Sequence, residues 1–246
     1  MRPLLSSAQP GEAKIKRSIC SLAAAALGLV ATCFGQELPR AALRLPEPPA
    51  QGKLSVEEAI GRRRTAREFS DQPLTLIEVS ALLWSGQGIT DIKENKRAAP
   101  SAGALYPLEL LVAVKSNGVK GLAAGLYQYQ PPGHRLLPLS DQDLSKQIAA
   151  AALNQNWVAA APVIVLVTGD YSRTAKKYGE RARRYVHLEA GHAAENILLE
   201  AQSLGLAAGI VGAFDDAELG RNVLRLPASL SPLLLLPLGH PAAKDN

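Results

Sequence analysis

The chain has 246 residues, of which 47% are hydrophobic and 20% charged, enough for one globular domain with a substantial core. Its formal charge of +5 is concentrated at the N-terminus: Arg2, Lys14, Lys16 and Arg17 against Glu12 leave +2 for everything after residue 35. That balance argues against attraction of nucleic acid by bulk charge, and no stretch beyond residue 36 is long and apolar enough to cross a bilayer.

The first 35 residues read as a secretory signal. Lys14-Ile15-Lys16-Arg17 is a basic segment, Ser21 to Thr32 is apolar and alanine-rich, and small residues place cleavage after Gly35. An uncleaved N-terminal anchor is the alternative, which the shortness of the apolar run disfavours. A lipidated Cys33 fits poorly with Val30 and Thr32 before it. Both cysteines, Cys20 and Cys33, lie in this leader. The expected mature chain therefore has no thiol for a disulfide, a Cys-ligated metal or a nucleophile, and redox chemistry would have to come from a bound cofactor. The expected address is the periplasm or another exported compartment of a bacterial envelope.

Residues 36–53 are proline-rich and aperiodic, an extended arm ahead of a domain at 54–246. Ser55-Val56-Glu57-Glu58 has capping-box spacing and opens a short helix. That helix runs into Arg62-Arg63-Arg64-Thr65-Ala66-Arg67, where four arginines fall within six positions. The cluster has three readings: cations complementing a helix C-terminus, a phosphate site built from two-pronged guanidinium groups, or a basic patch for nucleic acid. Thr75-Leu76-Ile77-Glu78 is a second capping box, opening an apolar helix that stops at Gly86 or Gly88. Thr90 to Ala99 is polar and reads as a loop.

Pro100 to Pro107 holds small residues between two prolines. It is either a wall that lets backbone approach a flat ligand or a plain turn into the strand Leu108–Val114. A hairpin follows: Gly125–Tyr129, a turn at Pro131-Pro132-Gly133, and a return over His134–Leu139. A helix is expected over Leu144–Leu153 and a buried strand over Pro162–Val167. Residues 174–204 carry one long helical pattern ending at Gly205, a central spine or a dimer seam. Ala207 to Gly212 is a small-residue strand or turn, Asp215 or Asp216 caps the next helix, and Leu233–Leu236 is a last strand. Irregularly mixed helices and strands indicate an α+β class. There is no dinucleotide or P-loop fingerprint and no internal repeat.

Five of these pieces, in order, resemble the nitroreductase family, and within it the SagB/ThcOx-type dehydrogenase branch. They are Arg63-Arg64-Thr65-Ala66-Arg67, Pro100–Pro107, Lys177-Tyr178-Gly179-Glu180-Arg181, Leu188-Glu189-Ala190-Gly191-His192 and Val211-Gly212-Ala213-Phe214-Asp215-Asp216. The resemblance spans roughly residues 54–244. It implies a three-layer α+β sandwich with a mixed or antiparallel sheet and a long central helix, forming a homodimer with FMN between subunits. It implies that Arg63, Arg64, Thr65 and Arg67 bind the cofactor's phosphate, ribityl and pyrimidine parts. Pro100, Ser101, Ala102, Gly103 and Leu105 would line the ring, Gly209, Val211 and Gly212 would lie near N5 and O4, and Lys244 would meet the phosphate.

Lys177 and Tyr178 resemble a catalytic Lys-Tyr pair of azoline dehydrogenases. The solvated start of a helix is their other reading. His192 is read as packed or hydrogen-bonded inside the helix bundle. The function implied is an exported FMN-dependent oxidoreductase acting on a small-molecule or peptide substrate. A non-catalytic flavin or nucleotide carrier on the same fold is the alternative.

Overall fold

The computed structural model describes residues 41–243. The expected signal at 1–35, the start of the arm and Lys244 lie outside the described residues.

Both capping boxes form. Ser55 Oγ accepts from Glu58 N while Glu58 receives the Ser55 N–H, and α1 runs Val56–Arg62. Thr75 and Glu78 make the same exchange at the head of α2, Leu76–Gln87, which stops at Gly88. Each exchange satisfies two backbone or side-chain groups that a helix start otherwise leaves open. Past α2, the stretch read as a loop folds into a small hairpin, β2 (Ile89–Asp91) and β3 (Lys96–Arg97). Asp91 Oδ1 accepts from Lys93 N and Glu94 N, so a local side-chain turn replaces the apolar signal that would mark a hairpin.

The main sheet has seven strands, all paired antiparallel. Its strands are β1 (Leu43–Arg44), β4 (Leu108–Val114), β5 (Gly125–Gln130), β6 (Arg135–Ser140), β7 (Val163–Asp170), β8 (Ala207–Ala208) and β9 (Leu230–Gly239). They lie in the order β1-β6-β5-β4-β7-β9-β8. Central β4 and β7 are hydrophobic on both faces because helices cover both. Leu108, Leu110, Val112, Val163, Val165 and Val167 pack towards α2 and the long helix, while Leu111, Ala113, Ile164 and Leu166 pack the opposite way. The second layer comprises α3 (Ser145–Ala151), α4 (Asn156–Ala160) and a wide turn of π-helix over Glu218–Val223. Asp215 heads that turn by accepting from Ala217 N and Glu218 N. Burial on both faces makes each of these leucines and isoleucines worth about 1.5–3 kcal/mol.

The arm is held to the domain. β1 pairs with β6, Leu45 is buried, and the Pro46 carbonyl accepts from Ser80 Oγ at 2.6 Å.

One expected helix is two. α5 covers Tyr171–Tyr178 and α6 covers Ala182–Leu204, separated by a 3-10 turn that begins at Gly179. Gly179 has φ 54° and ψ −131°, a conformation closed to side-chain-bearing residues, so the axis breaks there although the apolar periodicity continues through it. α6 remains the spine of one helical layer, stopped by Gly205 in the left-handed region.

Candidate functional site

Two groups of the expected residues form, each along α6. The first is the arginine strip. After α1 the chain runs extended beside β8: Thr65 bridges to Ala208, and Ala66 N donates to Ala208 O at 2.8 Å. Arg63 Nε lies 3.5 Å from Glu195 Oε1 on α6. Both side chains are partly exposed, so this pair contributes little and Arg63 can be redirected at small cost. Arg64 folds its guanidinium onto the carbonyls of Gly61 and Arg63, at 3.1 and 2.7 Å. Arg67 stacks over Trp157 on α4, with 5.7 Å from Cζ to the ring centroid.

The strip is seated on Gly209. A Cβ at that position would fall 2.5 Å from the Trp157 ring and 2.8 Å from Ala66 O, so only glycine admits both neighbours. Gly209 N and Val211 N donate to Pro237 O and Leu235 O, which commits their N–H groups to the sheet. Gly212 is exposed and its N–H is not taken up in the sheet. Among the described residues no hydrogen bond occupies the Gly212 N–H, unlike those of Gly209 and Val211.

The second group is the small-residue loop. Ala102–Ala104 is a 3-10 turn in which Gly103 has φ 63°, and positive φ values recur at Ala104 and Tyr106. Non-glycine residues in this region carry strain of about 1–3 kcal/mol each, which the surroundings have to offset. Ser101 supplies part of that: its carbonyl accepts from Ala104 N and its Oγ accepts from Tyr106 N at 2.9 Å. Lys177 and Tyr178, at the last turn of α5, reach this loop. A Cβ on Gly103 would lie 2.9 Å from Tyr178 Oη and 3.0 Å from Lys177 Nζ. The Tyr185 ring meets the Tyr178 ring edge-on, 5.0 Å between centroids, and fixes its direction. Lys177 itself is exposed, with its ammonium 5.5 Å from the Tyr178 ring centroid. The pair is thus both helix-end and loop-facing. Pro100, Ala102 and Leu105 complete the loop without side-chain hydrogen bonds of their own.

Close to the loop lies a buried carboxylate whose role its sequence position does not reveal. Glu189 on α6 is 2% exposed, with the Ser101 hydroxyl near enough to favour its ionised form. Burial raises its carboxyl to about 7, against the lowering influence of Ser101 and the Arg97 guanidinium. Oε1 of Glu189 has no partner. Arg97 and Trp157 were also missed, Arg97 because it stands in a polar stretch and Trp157 because α4 is a single short turn. His192 is exposed, contrary to the packed reading; it falls on the outward face of α6 between buried Ala190 and Ala193.

Glu189 and Glu195 mark where the two groups meet the spine, six residues or about 9 Å apart along α6. The glycine-containing loop thus faces a Lys-Tyr pair at the end of α5, and the arginine strip meets α6 through Arg63 and Glu195. The chain belongs to the nitroreductase family, whose signature matches residues 60–240.

It is 41% identical over 188 residues to the nitroreductase-family protein MJ1384 of Methanocaldococcus jannaschii, covering 76% of this chain and 92% of that one. It is also 23% identical over 165 residues to the microcin B17-processing protein McbC of Escherichia coli, covering 66% of this chain and 61% of that one. A crystal structure of a nitroreductase-family protein from Ralstonia eutropha JMP134 superposes with a TM-score of 0.72 at 27% identity, covering 84% and 96% of the two chains. The chain is thus a nitroreductase-family oxidoreductase, and McbC and the trifolitoxin-processing protein TfxB are among its more distant relatives. Among the described residues no helix is long and apolar enough to cross a membrane.

Proposed function

We propose that this protein is an exported, FMN-dependent oxidoreductase that works as a homodimer, with the cofactor between subunits. The observation that carries the reading is the convergence of Lys177 Nζ and Tyr178 Oη on Gly103. Members of the family typically bind flavin, and the residues present fit one. Gly103 lets the loop backbone close on Lys177 and Tyr178, Arg63 and Arg64 present partly or fully exposed guanidinium forks, and the Gly212 N–H has no hydrogen bond among the described residues.

When bound, FMN would supply the hydride acceptor and donor that the side chains of residues 36–246 lack. Arg63, Arg64 and Arg67 would hold its anionic tail, because planar guanidinium groups bind phosphate in two-pronged fashion. Thr65 would add a hydroxyl. The Pro100–Leu105 backbone would exclude water from one face of the ring. Tyr178 Oη is placed to donate or accept a proton at the loop, and the Lys177 ammonium beside it to stabilise negative charge that develops there. The strained loop and the edge-on Tyr185 keep Oη at one position, which is what positional catalysis requires.

The substrate class follows the relatives only coarsely: a small molecule, or a peptide as for the microcin-processing protein. Export rests on the basic and apolar leader. It favours an electron partner other than cytosolic NAD(P)H.

The test is a screen of reductants with nitro, quinone and azoline acceptors on FMN-loaded protein, run beside Lys177→Ala. The reading predicts turnover with at least one acceptor, and a fall of tenfold or more in the variant with its flavin retained. Absence of turnover with every pair, or equal turnover in the variant, removes the assigned chemistry.

A further inference from the structure

The end of α5, the turn after it and the first turn of α6 concentrate positive charge that the rest of the domain does not share. Lys176, Lys177, Arg181, Arg183 and Arg184 fall within nine residues, and all five are exposed. One carboxylate, Glu180, stands among them and leaves the stretch at +4. Everything after residue 35 carries +2, so the remainder of that part of the chain is −2 and the excess positive charge lies here.

The five cations are not neutralised within the fold. Other arginines meet carboxylates: Arg62 with Glu58, Arg63 with Glu195, and Arg173 with Glu109 and Asp170. None of the five makes an ion pair among the described residues. Three are held by tyrosines instead. Lys177 Nζ lies 5.5 Å from the Tyr178 ring centroid, Arg183 Cζ lies 5.2 Å from that of Tyr171, and an Arg181 Nη reaches Tyr185 Oη at 3.5 Å. These rings are fixed across the two helices, Tyr171 Oη by His187 Nε2 at 2.7 Å and Tyr178 by its edge-on contact with Tyr185. A neutral ring orients a cation without cancelling its charge, which lowers the ordering cost of pairing with a later partner.

The chemistry selects the occupant. Five cations spread over two helices exceed what one small anion engages, and match a chain with repeated negative charges. A lipid surface takes in apolar side chains as well as charge, and among the described residues Leu188 is the only exposed large hydrophobic on α5 or α6. A nucleic acid continues its phosphates beyond the patch, over a domain that is net negative outside it. A second copy docked about a two-fold axis through the patch would bring the same five cations to face these. A short run of Asp and Glu satisfies all three limits.

We propose that this face of α5 and α6 is a docking surface for an acidic segment of a polypeptide partner. Its carboxylates would pair with Arg181, Arg183 and Arg184, and Lys177 marks the end of the surface that adjoins Gly103. A polypeptide held there presents its neighbouring residues to the Gly103 loop. Only that link to turnover rests on the flavin reading. Docking does not.

The experiment is fluorescence anisotropy of dye-labelled hexaglutamate and hexaglutamine with the mature protein, as isolated and after FMN loading. Hexaglutamate is expected to bind at least tenfold more tightly at about 50 mM salt, and to lose most of that advantage at about 500 mM, because exposed charges are screened. Arg183→Gln with Arg184→Gln is expected to weaken its binding about fivefold. Lys120→Gln with Lys146→Gln removes the same charge from exposed positions off these helices and is expected to change binding by about twofold or less. Lys176→Gln carries the test alone if the paired arginine variant does not fold. Equal binding of the two peptides, hexaglutamate binding unchanged in the patch variants, or an equal loss in the Lys120 and Lys146 pair overturns the docking surface. Tighter binding of hexathymidylate or phosphatidylglycerol vesicles, or self-association, that the patch variants abolish also overturns it by giving the face a different occupant. Visible absorbance of the same samples separates the two proposals. Colourless protein that binds hexaglutamate keeps the docking surface and removes the flavin reading, and yellow protein that ignores hexaglutamate does the reverse.

Discussion

Gly103 and Tyr178 touch across the candidate site: a methyl group on Gly103 would stand 2.9 Å from the Tyr178 hydroxyl oxygen, inside contact distance. Gly103 also has φ 63°, where a side chain is strained whatever the space. Gly103→Ala should therefore cost about 1–2 kcal/mol of stability. It should lower turnover further than that loss explains, by displacing Oη and Lys177 Nζ. Thermal unfolding and steady-state rates on one preparation check this. A variant with parental rates would disconnect the loop from the Lys-Tyr pair.

Glu189 gives a prediction in pH. Its carboxyl is raised to about 7 in the folded chain from 4.5, so the folded state holds a proton that the unfolded state has lost between those values. Stability should then be fully present below about pH 4.5, fall as pH rises through 7, and level off above. The shift corresponds to about 3 kcal/mol. Glu189→Gln should lack this limb and exceed the parent at pH 8. Denaturant unfolding from pH 5 to 8 measures it, and parallel curves for the two proteins would contradict the buried-carboxyl account.

At the arginine strip, the ion pair from Arg63 to Glu195 is half-exposed and weak, leaving Arg63 available to a phosphate. A charged contact of that kind is worth about 1.5–3 kcal/mol. Arg63→Ala should weaken FMN retention by an order of magnitude or more while leaving the melting temperature of the flavin-free protein nearly unchanged. Equal flavin content after gel filtration would count against the strip as the anchor.

Gly209→Ala should be destabilising by about 1–3 kcal/mol through overpacking, since the added carbon meets Trp157 at 2.5 Å and Ala66 O at 2.8 Å. Trp157 fluorescence reports the displacement directly. A variant with parental stability and emission would mean that the strip is not held by this contact.

Local chemistry was readable where it was self-contained. Ser55 with Glu58 and Thr75 with Glu78 announce their helices because each cap is built within four residues. The apolar runs at Leu108–Val114 and Val163–Val167 announce strands buried on both faces. Gly179 did not announce the break in the spine, because apolar spacing runs through it and only a backbone angle reveals it. The hairpin at Ile89–Arg97 was hidden for a different reason: its hydrogen bonds come from Asp91 and not from an apolar pattern.

For the site, the resemblance named Gly103, Lys177 and Tyr178 separately, and only the fold brings them into contact. Arg97 and Glu189 were out of reach, since their distinction is to be buried with atoms unpaired, a property of packing and not of residue type.

The most direct measurement is the visible spectrum of the purified mature protein after incubation with FMN and removal of free cofactor. The account predicts a yellow protein that retains about one flavin per chain and loses it in the Arg63→Ala variant. A colourless protein that acquires no chromophore would contradict it.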